Sequence, residues 1–201
     1  MTARRRTASN QVSAALLDAA ETVLDRDGVG GVTIRAVANN AAVSPVSVYN
    51  RFGSKDGLIV ALALRTLAQL ASAIDVTADV DPVGRFVQAC KNYREFALRY
   101  PARYALIFGA GSPLEDQTSE VARSGRAVFD TLAGLISAMK SDGSERDSAE
   151  DAQIVWNAVH GAVTIEQAGI GQTPNATETF EHLLEVFTDT LASSDQQTTS
   201  T

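Results

Sequence analysis

Between Thr33 and Lys55 the chain gathers side chains that hydrogen-bond without being nucleophiles or bases: Thr33, Arg35, Ser44, Ser47, Tyr49, Asn50, Arg51 and Lys55, with Pro45 and Val46 among them. Hydroxyls, a carboxamide and cations of this kind donate to anionic or carbonyl oxygens, and an arginine can offer two parallel N–H bonds to a pair of acceptors. A second set is aromatic. Trp156 and His160 stand four apart, on one helical face continued by Val163 and Gln167, and Tyr93, Phe96, Tyr104 and Phe108 supply further apolar walls with polar tips, the mixture that small-molecule sites use. Neither set makes an active site. There is no Gly-x-Ser-x-Gly, phosphate-binding loop or Gly-x-Gly-x-x-Gly, and only His160 and His182 can act as imidazole bases. Glu178 and His182 are two potential metal ligands without a third, and Cys90 has no partner cysteine, so no metal, cofactor or disulfide is expected. We expect no enzyme.

The elements that position these residues read as helices throughout. Val12, Ala15, Leu16, Ala19, Val23 and Leu24 recur at spacings of three and four, predicting a helix over 11–27 closed by Gly28. Thr33 can cap a short helix to about Asn40, Ser44-Pro45 a second to about Phe52, and Ser54 a longer one to about Ile74. Asp81-Pro82 opens a helix to about Arg99, Pro101 one that ends at Phe108 before Gly109, and further helices are expected over 118–140, 148–169 and, capped by Thr177, to about Leu191. No stretch alternates apolar and polar residues over strand length, so the fold class is all-α, with about nine helices.

Composition agrees. The 201 residues are 45% hydrophobic and 20% charged, a globular balance, with no secretory leader expected at Met1 and no apolar run expected to reach the roughly 20 residues that cross a bilayer. We therefore expect a cytoplasmic protein that meets no membrane. The net charge of −7 is unevenly placed: residues 1–65 hold eight Lys and Arg against five Asp and Glu, and residues 66–201 hold nine against nineteen. A basic head that meets an anion and an acidic remainder with another task fit this split. Arg4, Arg5 and Arg6 fit either an arm reaching toward that anion or a solvated terminal cluster.

Two short helices joined by Ala41-Ala42-Val43-Ser44 have the spacing of a helix-turn-helix. Ala38 permits their close crossing, and Val37, Ala41, Val43, Val48 and Phe52 are the expected shared core. In such a unit the second helix enters the DNA major groove, which would turn Ser44, Val46, Ser47, Tyr49, Asn50 and Arg51 toward it. The run Thr33-Ile34-Arg35-Ala36-Val37-Ala38, then Val43-Ser44, Val48-Tyr49-Asn50-Arg51-Phe52 and Ser54-Lys55, resembles the TetR family of transcriptional regulators over about residues 10–70. That family usually has glycine at Ala42; a left-handed backbone there would cost alanine about 1 kcal/mol. The resemblance implies phosphate contacts at Thr33, Ser44, Tyr49 and Lys55, and base readers at Arg35, Pro45, Val46, Ser47 and Asn50. The chemistry suits these roles: Arg35 can grip guanine O6 and N7, Val46 can touch a thymine methyl, and Asn50 can reach a base or a phosphate.

The resemblance divides the chain into a DNA-binding domain over 8–54, a ligand-binding and dimerisation domain over 55–192, and a disordered tail over 193–201. Trp156, His160 and Gly161 resemble the Trp-x-x-x-His-Gly subtype of the family's C-terminal domain. A flatter stripe, Ala158, Ala162, Ile165 and Gly169, together with Phe180, Leu184, Phe187 and Leu191, is the expected two-fold interface, with intramolecular core as the competing use. The expected function is a homodimeric repressor that binds a palindromic double-stranded operator and is released by a small-molecule effector. The alternative is a helical ligand-binding or signalling protein whose head is not used on DNA.

Overall fold

A computed structural model describes the backbone of residues 2–77, 81–140 and 145–193, and the side chains of 12–77, 81–140 and 148–191. Among the described residues there are nine α-helices and no strand: α1 (Thr2–Gly31), α2 (Ile34–Asn40), α3 (Pro45–Phe52), α4 (Lys55–Ile74), α5 (Pro82–Arg99), α6 (Pro101–Phe108), α7 (Glu120–Met139), α8 (Glu145–Ala168) and α9 (Ala176–Ser193), with a 3-10 turn at Pro113–Glu115 before α7. The side chains of Arg4, Arg5 and Arg6 and the tail beyond Ser193 lie outside the described residues.

Caps set most boundaries. The Thr33 hydroxyl accepts from Ala36 N at 3.1 Å, Ser44 from Ser47 N at 3.3 Å and Ser54 from Gly57 N at 3.0 Å, so α2, α3 and α4 each begin one residue after a side-chain acceptor. The Asp81 carboxylate does the same for α5, accepting from Gly84 N at 2.9 Å. Four expectations need correction. α1 begins at Thr2 rather than near Gln11, although Gly28 (φ 71°, ψ −178°) interrupts it where a stop was expected. α8 begins at Glu145, before Ser148. The cap of α9 is Asn175, whose Oδ1 accepts from Thr177 N at 3.0 Å and Glu178 N at 3.2 Å; the Thr177 hydroxyl is taken instead by Arg94 Nη2 at 2.9 Å. The 3-10 turn was missed because it is only three residues long, closed by Glu115 N donating to Ser112 O at 3.0 Å and capped by Leu114 N donating to Ser112 Oγ at 3.1 Å.

The helices sort into two compact units, one formed by Met1–Ala68 with Tyr100–Ser124, the other by Gln69–Arg99 with Gly125–Thr201. In the first, α1 packs on α2 and α6, and α2 on α3, over a core that includes Leu16, Val23, Leu24, Val37 and Leu58. In the second, α5, α8 and α9 pack on one another around Phe86, Phe96, Val159, Val163 and Leu184. The unit that holds the head thus also takes in α6, a division by packing where the division at 54/55 is one by role.

Contrary to the sequence expectation, α4 is by length and composition long and apolar enough to cross a membrane. Its apolar side chains have another use: Leu58, Leu62, Ala63, Leu67 and Leu70 are buried within the protein, and Arg65, halfway along, pairs with carboxylates of α1. A core helix reads the same way in a hydropathy window as a membrane span.

Candidate nucleic-acid interface and ligand site

The turn between α2 and α3 closes through backbone bonds: Ala41 N donates to Val37 O at 2.9 Å, Ala42 N to Asn39 O at 3.2 Å and Val43 N to Ala38 O at 3.0 Å. This geometry puts Ala42 at φ 52°, the left-handed region suspected from the sequence, and among the described residues no other non-glycine residue has a positive φ. Val37, Ala38 and Val48 form the shared core and are fully buried, with Ala41 and Phe52 half-buried. Val43 is exposed rather than interior, a correction that follows from its place past the left-handed residue, where the chain turns outward.

Helix α3 spends almost none of its surface on its own fold. Of its eight residues only Val48 is buried. Val46 is 63% exposed and Tyr49 52%, and Pro45, Ser47, Asn50 and Arg51 are exposed as well. Both ends are fixed, by Ser44 and Pro45 at the start and by Gly53 at the end (φ 75°), whose N–H donates to Tyr49 O at 2.8 Å. The result is a rigid short rod offering hydroxyl, carboxamide, guanidinium and two large apolar groups to whatever docks there. Around it Thr33, Arg35, Ser44 and Lys55 are exposed too. In their capping bonds Thr33 and Ser44 use hydroxyl oxygens as acceptors, and an O–H can still donate to an anion. All nine residues expected at the DNA face are therefore on the surface of the first unit.

In the second unit, Tyr93 of α5 meets Trp156 and His160 of α8. The Tyr93 hydroxyl lies 3.1 Å from His160 Nδ1 and accepts from Trp156 Nε1 at 3.4 Å. Trp156 and His160 have ring centroids 5.8 Å apart, and Phe129 of α7 sets its ring near-perpendicular to Trp156 at 6.2 Å. Phe129 was not among the expected ligand-site residues. Partial burial holds the His160 imidazole below its ordinary value, so the ring is neutral at pH 7. Phe96 is buried one turn beyond Tyr93 on α5. Tyr104 and Phe108 lie in the first unit and pair with each other at 4.9 Å. α5, α8 and α9 are further tied by Arg94, which donates to both carboxylate oxygens of Glu166 at 2.7 and 2.6 Å and lies 5.4 Å from the Phe180 ring. Gln167 Nε2 donates to Ala97 O at 2.8 Å.

The expected interface stripe divides. Phe180, Leu184 and Leu191 are buried within the single chain, so they are interior rather than free for a second copy, and Phe187 is half-buried. On α8, Ala158 and Ala162 are half-buried and Ile165, at 46%, is exposed, as is Gly169 just past the end of the helix. Ile154 on the same helix and Val186 on α9 are exposed apolar residues that the sequence reading left out, since periodicity gives a face and not its partner.

An exposed, doubly capped second helix on a three-helix head, joined to a larger helical unit, defines a helix-turn-helix regulator fold. Comparison with known proteins agrees. The family described as "Bacterial regulatory proteins, tetR family" matches residues 16–62, and "Tetracyclin repressor-like, C-terminal domain" matches residues 86–187. The chain belongs to the TetR family. It is similar to the HTH-type transcriptional regulator Rv1816 of Mycobacterium tuberculosis, 29% identical over 142 residues, which are 66% of this chain and 61% of that protein. The chain thus spans under two thirds of the length of the curated relatives it matches first. Among solved structures it resembles a protein of unknown function from Rhodococcus sp. RHA1 (24% identity, 91% of this chain and 94% of that one, TM-score 0.71). It also resembles Mycobacterium smegmatis BioQ (23% identity, 89% and 96%, TM-score 0.64), which has been solved with its double-stranded DNA operator as well.

Proposed function

We propose that this protein is a cytoplasmic DNA-binding transcriptional repressor that holds a near-palindromic operator as a homodimer and is released by a small-molecule effector. The observation that carries this reading is α3, a helix fixed at both ends with only Val48 buried. A rigid element that leaves its own large side chains in water is built to bury them elsewhere, and its polar groups match phosphates and base edges. Two such helices per dimer enter successive major grooves, and the distance between heads selects the half-site spacing. Thr33, Ser44, Tyr49 and Lys55 hold phosphates; Arg35, Pro45, Val46, Ser47 and Asn50 read bases.

Dimerisation uses the exposed side of α8, with Ile154, Ala158, Ala162 and Ile165, and Gly169 just beyond its end. The effector binds in the aromatic surroundings of Tyr93, Phe96, Trp156 and His160, in a C-terminal domain of the Trp-x-x-x-His-Gly subtype. A neutral imidazole beside a tyrosine hydroxyl suits a ligand that is largely apolar with one polar group. An effector that prefers the DNA-incompetent state by about 1–3 kcal/mol weakens operator binding about 5- to 150-fold.

Capture of fragments from total genomic DNA by the purified full-length protein tests the proposal. Recovered fragments should share one near-palindromic sequence. Fragments without a shared sequence would mean that the head is not used for specific recognition, leaving a helical ligand-binding protein.

A further inference from the structure

Two buried side-chain polar atoms have no hydrogen-bond partner among the described residues, Thr66 Oγ1 and Arg85 Nε. They are not equivalent. A threonine in a helix can turn its hydroxyl onto a carbonyl of the preceding turn, whereas an arginine Nε–H has no such local acceptor and brings a charge with it. Arg85 stands near the start of α5, in the second unit, and no described carboxylate pairs with it. The Asp81 carboxylate, four residues back, accepts from Gly84 N at 2.9 Å instead. Asn92, two turns on along the same side of the helix, has its Oδ1 taken by Gln88 Nε2 at 2.8 Å, and its Nδ2 donates to Ala73 O at 2.7 Å. The other half-buried cations described in this unit are paired: Lys91 with Glu181 at 2.7 Å, Arg94 with Glu166 at 2.6 Å and Lys140 with Asp151 at 2.6 Å.

Taking a guanidinium N–H out of water without an acceptor costs free energy that is recovered only when an acceptor arrives. A water molecule would accept the bond and leave the charge uncompensated; an anion meets both needs. Its class follows from the surroundings. With one unpaired guanidinium and the neighbouring cations committed, the site neutralises a single charge, and the Nε–Nη fork matches the two oxygens of a planar carboxylate, whereas a doubly charged phosphate asks for more donors. Phe86, Ala89 and Phe96, on the flank of α5 that Arg85 borders, are buried, so an apolar body suits the rest of the molecule. We propose that Arg85 receives the carboxylate of an otherwise apolar small molecule. Arg85 precedes Tyr93 by about 12 Å of helix rise, so a molecule that meets both is elongated. The proposal gives the effector a charged end and rests on the ligand-binding role proposed for this unit.

Isothermal titration calorimetry of the full-length protein without DNA tests this, with octanoate, its neutral analogue octanamide, acetate and inorganic phosphate as probes. Octanoate should bind about 10-fold or more tightly than octanamide, which lacks the charge, and than acetate, which lacks the apolar body. Arg85→Met keeps an apolar side chain and removes the guanidinium. It should bring octanoate down to the affinity of octanamide while leaving octanamide within about 2-fold of the parent. Without ligand the same variant should melt about 2 °C or more above the parent, because an uncompensated charge is gone, an effect that a guanidinium held for stability does not give. The carboxylate site is overturned if octanoate is not bound, if octanamide or phosphate binds as tightly as octanoate, or if Arg85→Met melts below the parent. Operator affinity is measured separately: octanoate that is held through Arg85 and leaves operator affinity unchanged contradicts the effector reading, while the site stands.

Discussion

At residue scale, Ala42 is a strained position whose sign can be tested. Alanine at φ 52° pays for a backbone that glycine adopts freely. Ala42→Gly should stabilise the protein by roughly 0.5 kcal/mol in urea denaturation, the left-handed penalty less the entropy glycine adds to the unfolded chain. A loss of stability would show that the alanine methyl makes a contact outweighing the strain. Arg35 and Tyr49 are distinguished by what they read. Arg35→Ala should cost about 1–3 kcal/mol and relax preference at one base pair per half-site, whereas Tyr49→Ala should weaken specific and non-specific duplexes by similar factors. Binding titrations against single-base operator variants decide both, and intact preference after Arg35→Ala makes it a phosphate contact. His160 carries a pH signature. Burial lowers its folded-state value, so the unfolded chain takes up the proton first as pH falls below about 6.5, and the stability held above that range is lost on the way down. His160→Phe should therefore flatten the fall in stability between about pH 7 and 5. A variant as steep as its parent would assign that titration to other groups.

At element scale, the start signals were legible because caps are local: Thr33, Ser44, Ser54 and Asp81 each act within three residues of themselves, and each opens its helix as expected. Tertiary competition decided the others. Thr177 has the chemistry of a cap, but Arg94, eighty-three positions away, takes its hydroxyl, and Asn175 caps instead. Phe180 and Leu184 share a periodic apolar stripe with every property of an interface except exposure, since a stripe does not say whether its partner lies in the same chain. The exposed side of α8 is what remains for a second copy. Ile165→Asp should shift the proposed dimer to monomer in sedimentation while leaving the helical content unchanged, because the carboxylate would be desolvated without a partner. A variant still dimeric would put the contact on other exposed residues, Val186 of α9 first.

At the scale of the whole molecule, the helix-turn-helix and the exposure of its polar second helix were legible, since caps and apolar offsets on short helices set which residues face solvent. The aromatic cluster proposed to bind the effector was legible only in part: Tyr93, Trp156 and His160 meet as hydrogen-bonded neighbours, whereas Phe129, which joins them, was not expected there. The ion pairs that Arg65 and Arg103 make with Glu21 were not legible at all, because their three helices come together only in the fold. The uneven charge gains meaning here. With −7 overall, affinity for DNA must come from the basic head against the repulsion of an acidic remainder, which makes it sensitive to salt. The decisive measurement is a titration of the recovered operator and a scrambled duplex of equal length at several salt concentrations. Affinity for both should fall linearly on logarithmic axes, with the operator bound about 10³-fold or more tightly than the scrambled duplex at physiological salt. Discrimination below about tenfold, or affinity indifferent to salt, would contradict operator recognition by this head.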